Sequence, residues 1–407
     1  MRQDKNPDHF HGSGNHENDL DDSPDPAFRR VRRVVLGDFR SYAALDLRVD
    51  AQMAALTGDN GAGKTNLIEA LSLFSPGRGL RRAELGDMAR NGGRGGFAVS
   101  LEIESADGLA QLGTGLEPGD GYAPAARKCR IDRAPIGSPR AFADHLRLVW
   151  LTPAMDGLFA GSAGERRRFL DRVVLSVDAD HGARVSSLER ALRNRNRLLE
   201  ERWSDAAWLD AAEREVAELG VAVAAARSET VARLAALIAA GRDAASPFPF
   251  AEVELLGDVE RLVVDRPALD AEEAFRGWLR DNRARDAAAG RALIGPQTAD
   301  LHVRHGPKQV EAALCSTGEQ KALLVGLVLA QARLVAAMSG VAPLVLLDEI
   351  AAHFDPSRRA ALFAALTELG GQVWMTGADP SAFSAMPSEA QVFEVAGAGV
   401  RPLARKG

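Results

Sequence analysis

Gly58-Asp59-Asn60-Gly61-Ala62-Gly63-Lys64-Thr65 stands between the apolar run Ala54-Ala55-Leu56-Thr57 and the helical pattern Asn66-Leu67-Ile68-Glu69-Ala70-Leu71-Ser72-Leu73-Phe74. The octapeptide satisfies G-x-x-x-x-G-K-[ST] in full, with a strand expected before it and a helix after it. Glycines at these places let backbone N–H groups turn inward around phosphates, and the helix start adds its partial positive charge. In this reading Gly58, Asp59, Asn60, Gly61, Ala62 and Gly63 line a nucleotide. Lys64 reaches the β and γ oxygens, and the Thr65 hydroxyl serves Mg²⁺.

Upstream, residues 29–57 read as strands, beginning with the run RRVRRVVLGDF. Downstream, residues 86–135 are Gly-rich and hairpin-like, which predicts an antiparallel sheet beside the first strands. HLRLVWLTP reads as a strand ending at Pro153. From about 183 to 245 the composition turns to Ala, Arg, Glu and Leu. Val216, Leu219, Val223, Ala226, Val231, Leu234 and Ile238 recur there at near-helical spacing. A helix over 207–243 would be roughly 55 Å long, a projecting arm unless Gly220 divides it. Residues 246–290 read as a short strand and another helix. A long helix (318–338), the strand PLVLL, a helix (357–369) and the strand QVWMT complete the pattern.

Leu344-Val345-Leu346-Leu347-Asp348-Glu349 is an apolar run closed by two acids. Buried parallel strands read this way, and ligands lie outside their carboxyl ends. Asp348 is suited to hold Mg²⁺, with Thr65, and Glu349 to orient or deprotonate an attacking water. Lys64 and Glu349 are thus the expected catalytic pair. Alone, the Asp-Glu ending also fits an ordinary strand-end turn; the phosphate loop gives it its meaning.

Ser316-Thr317-Gly318-Glu319-Gln320 precedes the long helix, where a generic cap would look similar. The order of phosphate loop, large insertion, S-x-G-x-Q, helix and apolar strand with Asp-Glu resembles the ABC-type ATPase superfamily. Its signature motif binds the γ-phosphate held by a second subunit, which implies nucleotide contacts for Ser316, Gly318 and Gln320. Further segments are Asp38-Phe39-Arg40-Ser41-Tyr42, Arg166-Arg167-Arg168-Phe169-Leu170-Asp171, Gly295-Pro296 and Leu347 to Asp355. With the loop and signature they resemble the RecF family of recombination mediators, which is similar to SMC proteins without a long coiled coil.

The resemblance implies an α/β fold, a P-loop ABC/SMC-type ATPase head with a helical arm insertion. Residues 1–27 would be a disordered acidic tail, 28–180 and 291–407 the two parts of the head, and 181–290 the arm. It further implies ATP and Mg²⁺ as cofactors, weak ATPase activity working as a switch, and an ATP-dependent homodimer. DNA, single-stranded or gapped, would be the substrate of a mediator that helps load recombinase in replication, gap repair and the SOS response. RecO and RecR would be its companions. Arg40 would sit near the nucleotide, and Asp355 would contact the partner subunit. The family's usual GPHRDDL is here Gly295-Pro296-Gln297-Thr298-Ala299-Asp300-Leu301, and its Pro-Glu-Asp is Pro153-Ala154-Met155-Asp156. The glutamine-loop ligand therefore has no position, and after the final strand only Thr376 stands where a switch residue is sought.

The 407 residues are 46% hydrophobic and 26% charged, a globular composition for two or three domains. Two cysteines, Cys129 and Cys315, exclude a disulfide framework and a four-ligand zinc site. Residues 1–27 carry seven acids against two bases and almost no aliphatics. The start has no hydrophobic stretch and no apolar run reaches membrane length, so a cytoplasmic location with no membrane is expected. A net charge of −6 gives no basic footprint for nucleic acid. Local clusters at Arg78/Arg81/Arg82, Arg166–Arg168 with Arg172, and Arg190/Arg193/Arg195/Arg197 suit phosphates or acidic neighbours equally. The rival reading is the ATP-binding subunit of a membrane transporter, which expects a shorter gap than the 251 residues from Thr65 to Ser316 and a switch histidine. A structural SMC-type tether would need hundreds of heptad residues. His302 and His305 read as strand surface histidines, and Cys315 as a small apolar filler.

Overall fold

The computed structural model describes residues 28–118, 126–201, 205–242, 246–350 and 354–404. The expected acidic tail lies outside them. The chain opens with β1 (Arg29–Phe39), β2 (Tyr42–Arg48), β3 (Met53–Thr57) and α1 (Lys64–Ser72). Then come β4 (Phe97–Ser105), β5 (Gly108–Leu116), β6 (Arg127–Ile131), β7 (Ala134–Ile136) and β8 (Leu148–Leu151). Apolar residues alternate along β4, with Phe97, Val99, Leu101 and Ile103 all buried, as expected of strands with one covered face. All of these strands except β3 and β8 form the antiparallel sheet β2-β1-β4-β5-β6-β7.

The helical segment follows: α2 (Ala163–Val177), α3 (His181–Glu200), α4 (Ala206–Ala240), β9 (Ala251–Leu256), α5 (Asp258–Asp265), α6 (Ala268–Asp281) and α7 (Arg283–Ala289). Helix α4 runs 35 residues without a break at Gly220. A helical glycine costs about 1 kcal/mol relative to alanine, but a Cβ at 220 would lie 2.7 Å from Cε1 of Phe275 on α6. Gly220 is there for close packing. The N-terminal half of α4 joins a hydrophobic cluster with α3, α5 and α6 through Val216, Ala217 and Val221. Its C-terminal half enters the main core through Val231, Leu234 and Ile238. One helix therefore belongs to two cores. Residues 246–290 hold three helices after the strand, not one, because the helix breaks at Arg266-Pro267 between α5 and α6 and at Asn282 between α6 and α7.

The chain returns through β10 (Asp300–His305), β11 (Val310–Glu311), α8 (Thr317–Ser339), β12 (Leu344–Leu347), α9 (Pro356–Glu368), β13 (Val373–Gly377), β14 (Gln391–Ala396) and β15 (Gly399–Leu403). Strand β10 pairs antiparallel with β9 from Asp300↔Leu256 to His305↔Ala251. The second large sheet has the order β15-β14-β3-β13-β12-β8, parallel except for β15. Strands β3 and β12 are separated only by β13, so the phosphate loop and the Asp-Glu pair leave the sheet at the same edge. Helix α8 is apolar and long enough to cross a membrane, but 67% of its most apolar stretch is buried within the protein.

Fully buried Gln372 joins the two sheets. Its Oε1 accepts from Val31 N (2.9 Å) and Trp374 Nε1 (3.2 Å), and its Nε2 donates to the carbonyls of Val31 and Ala51 (both 3.1 Å). Leaving these buried groups unpaired would cost about 1–3 kcal/mol each.

Candidate nucleotide site

Strand β3 ends where Thr57 Oγ1 donates to Phe393 O of β14 (3.0 Å). The chain then turns through Gly58, Gly61 and Gly63 at φ of 139°, 84° and 111°. Gly63 is the N-cap of α1, and a Cβ there would meet Ser41 Oγ at 2.9 Å and Tyr42 Oη at 3.0 Å. Buried Tyr42 donates its hydroxyl to Gly63 O (3.1 Å), and burial pushes the phenol well above its usual range. Among the described residues no side chain caps α1, which leaves its first amides open to a ligand. Asp59, Asn60 and Gly61 are exposed, and Ala62 N closes the turn on Asp59 O (3.2 Å). Lys64 is 5% exposed, its Nζ resting on Gly58 O (2.6 Å) and Asp59 O (2.8 Å).

The strand-end acids meet this loop directly. Thr65 Oγ1 donates to Asp348 Oδ1 (2.9 Å) across a separation of 283 residues. Buried Thr376 donates its hydroxyl to the same oxygen (2.7 Å) and accepts from Glu349 N (2.9 Å). Glu349 stands at φ 53°, a left-handed conformation that a glutamate rarely adopts. Such backbone persists only where surroundings impose it, and Thr376 is one of those surroundings. A hydroxyl beside a carboxylate at a strand end fits Mg²⁺, which keeps water and phosphate oxygens for its other positions. Sequence reasoning gave Thr376 little weight. Its signal was the polar residue closing the apolar strand QVWMT.

Arg40 also has φ > 0, at 51°. Its guanidinium forms a two-point pair with fully buried Glu69 of α1 (2.9 and 2.7 Å) and donates to Asp87 O (2.7 Å). Arg81 reaches the same carboxylate (3.0 Å) and Asn66 Oδ1 (2.9 Å). Arg40 thus stands beside the helix that the loop opens, committed to Glu69.

The signature residues form a separate group. Ser316 and Glu319 make a capping box at the start of α8, with Ser316 N donating to Glu319 Oε2 (3.0 Å). Lys308 pairs with the other oxygen of Glu319. The Lys308 ammonium, with the Ser316 hydrogen bonds, lowers the Glu319 carboxyl to about 2. Gly318 has open space beside its Cα. Gln320 turns inward, donating to Cys315 O (2.8 Å) and Ala313 O (3.3 Å), and so holds the turn that carries Ser316. Lys321 pairs with Asp156 (3.0 Å), and Asp355 caps α9 by accepting from Arg358 N (3.0 Å).

Several members of the arginine clusters are spent inside the protein. Arg166 forms a two-point pair with Asp300 (both 2.7 Å), and Arg167 donates to Ala299 O (2.6 Å). Arg227 clamps Asp171 (2.8 and 2.9 Å) and donates to Pro296 O (2.7 Å). The RRRFLD and Gly-Pro segments are therefore partners in one staple. Arg172 lies over Trp150 and Phe169, with burial pushing it down to about 10. Arg195 is fully buried between Glu213 (3.1 Å) and Asp286 (2.8 Å). Arg78, Arg82, Arg168, Arg190, Arg193 and Arg197 remain exposed. His302 pairs with Glu311 (2.6 Å), whereas His305 is buried and caps a turn. Among the described residues no group of three or more His, Cys, Asp or Glu could hold a metal ion.

No protein-family model matches the chain. It is 54% identical to the DNA replication and repair protein RecF of Rhizobium rhizogenes over 91% of this chain and 98% of that protein. Against RecF of Agrobacterium fabrum the identity is 53%, covering 91% and 98%. Its fold matches the solved structure of the recombination mediator protein RecF-ATPrS in the RecFOR pathway, with a TM-score of 0.80 and 19% identity over 93% of this chain and 100% of that one. An Smc head domain with an extended coiled coil from Pyrococcus furiosus gives a TM-score of 0.51 at 15% identity, over 92% and 96%. With a fold similar to that of an Smc head and RecF relatives at this identity over nearly the whole chain, the protein belongs to the RecF family of DNA replication and repair proteins.

Proposed function

We propose that this chain is an ATP-driven switch that binds DNA and mediates recombinase loading at gaps. The observation that carries the reading is the continuous bond from Thr65 through Asp348 and Thr376 to Glu349, which ties the phosphate loop to a strand-end acid pair. The open start of α1 and the loop amides would receive the phosphates, with Lys64 leaving the loop carbonyls for the β and γ oxygens. Thr65 and Asp348 would hold Mg²⁺, which supplies charge neutralisation at the phosphates. Glu349, fixed by its backbone bond to Thr376, would orient the attacking water or take its proton. Turnover in such a switch is slow, and hydrolysis serves to reset it.

Ser316 and Gly318 at the start of α8 would meet the γ-phosphate bound by a second copy, giving an ATP-dependent homodimer. The family membership and the match to a RecF solved in the RecFOR pathway support DNA, RecO and RecR as partners, action in the SOS response, and work in the cytoplasm. Lys64→Ala should abolish ATP binding in a folded protein; retained affinity would overturn the site. Binding to single-stranded, duplex and gapped DNA, with ATP and with ADP, tests the partner. A failure of ATP to alter any of the three would overturn the switch.

A further inference from the structure

We propose that Lys308 is a positioning residue for the signature helix, neutralising Glu319 so that the start of α8 can accept the phosphate of a second subunit. The proposal rests on the ATP-driven pairing proposed above. Glu319 has two duties in this structure: one carboxylate oxygen accepts from Ser316 N at 3.0 Å, and the other meets the Lys308 ammonium. An acid in the first turn stabilises a helix by itself. It also places a negative charge beside the serine where a second, heavily charged anion would have to dock. Like charges in such an interface oppose association, and a nearby ammonium removes the conflict.

The backbone that carries Lys308 is held to the strands before it. His305 Nδ1 accepts from Lys308 N (3.3 Å), and Gln309 N donates to His305 O (2.8 Å). Gly306 N donates to Phe250 O (3.0 Å), just ahead of β9. Gln309 Nε2 reaches Glu252 Oε1 on β9 (2.8 Å), and β9 in turn packs against α4. The backbone of Lys308 is thus fixed by the β9–β10 strand pair while its charge acts on α8. The strand pair, packed against the long helix α4, thereby acts on the signature serine through Glu319.

The test compares self-association of full-length wild type, Lys308→Ala, Glu319→Gln and the double variant by sedimentation, each with ATP and with ADP. Nucleotide affinity is measured in parallel at protein concentrations too low for pairing. Glutamine at position 319 keeps the capping box, so the charge can be removed without uncapping α8. Lys308→Ala should weaken the ATP-dependent dimer by about tenfold or more with cis affinity unchanged. Adding Glu319→Gln should restore it, and Glu319→Gln alone should pair at least as well as wild type. If Lys308→Ala pairs like wild type, or the double variant stays as weak as Lys308→Ala, the neutralising role is overturned. A wild type that never pairs with ATP overturns the dimer reading itself, and this inference with it.

Discussion

The starts of α1 and α8 are both candidate phosphate sites, and they are built in opposite ways. Helix α1 begins at a left-handed glycine with no side-chain cap, leaving its amides open. Helix α8 begins at a serine whose capping partner is its own third residue, already paired with a lysine from another element. An open start can take a ligand from solution at the cost of stability while empty. A filled start is stable alone and competes with an incoming anion. The difference suits a cis site that binds first and a trans site that engages only when the first is loaded.

Trapping the loaded state is the strongest way to expose this difference. Glu349→Gln should keep ATP binding while slowing hydrolysis by ~100-fold or more, the usual scale for removing a general base. The ATP-bound dimer should then accumulate on size-exclusion columns. Wild-type turnover in this variant would remove Glu349 from the chemistry. Ser316→Arg attacks the other helix start and should cut ATP-dependent pairing by about tenfold or more, and hydrolysis with it. Monomer ATP affinity should be spared, because Ser316 is bonded within the cap and first turn of α8, away from the phosphate loop. An ATP-dependent dimer surviving in Ser316→Arg would mean that α8 is not the trans site.

A smaller effect is expected from giving the open start a side chain. Gly63→Ala forces alanine to φ 111° with its Cβ 2.9 Å from Ser41 Oγ. The strain should cost about 1–3 kcal/mol, read as a lower Tm, with weaker ATP binding as the loop shifts. An unchanged Tm would show that the loop relaxes freely and that its conformation is not imposed.

The two starts were not equally legible in the sequence. The phosphate loop is contiguous, and its flanking strand and helix confirm it locally. The signature was legible only by its order among other elements, since Ser-Thr-Gly before a helix is an ordinary cap. Nothing marked Lys308 as the partner of Glu319, which follows only after the short strand β11 and a turn. The same limit hid the Arg166–Asp300 staple, whose members stand 134 residues apart. Arg195 reads as a solvated helix residue until α4 and α7 bring Glu213 and Asp286 to it. Gly220 suggested a break because local propensity says so, and packing against Phe275 overrode it. Strands β14 and β15 had no reading at all, though β14 lies against β3 beside the loop.

The smallest expected effect concerns the acid dependence of the filled start. The Glu319 carboxyl lies at about 2 in the folded chain, chiefly through Lys308 and then through the Ser316 bonds. An unfolded glutamate titrates near ~4.3. The folded value is the lower one, so the unfolded chain takes up the proton first. Stability from this group is therefore full above about pH 5 and drains away as pH falls from there toward 2. Glu319→Gln keeps the cap but has no charge to lose. Melting curves should show the variant slightly below wild type at neutral pH, with the gap closing as pH falls through that window. A gap of constant size from pH 6 to pH 2 would show that Glu319 contributes through its hydrogen bonds alone. The contrast between the two helix starts would then be one of capping geometry rather than charge.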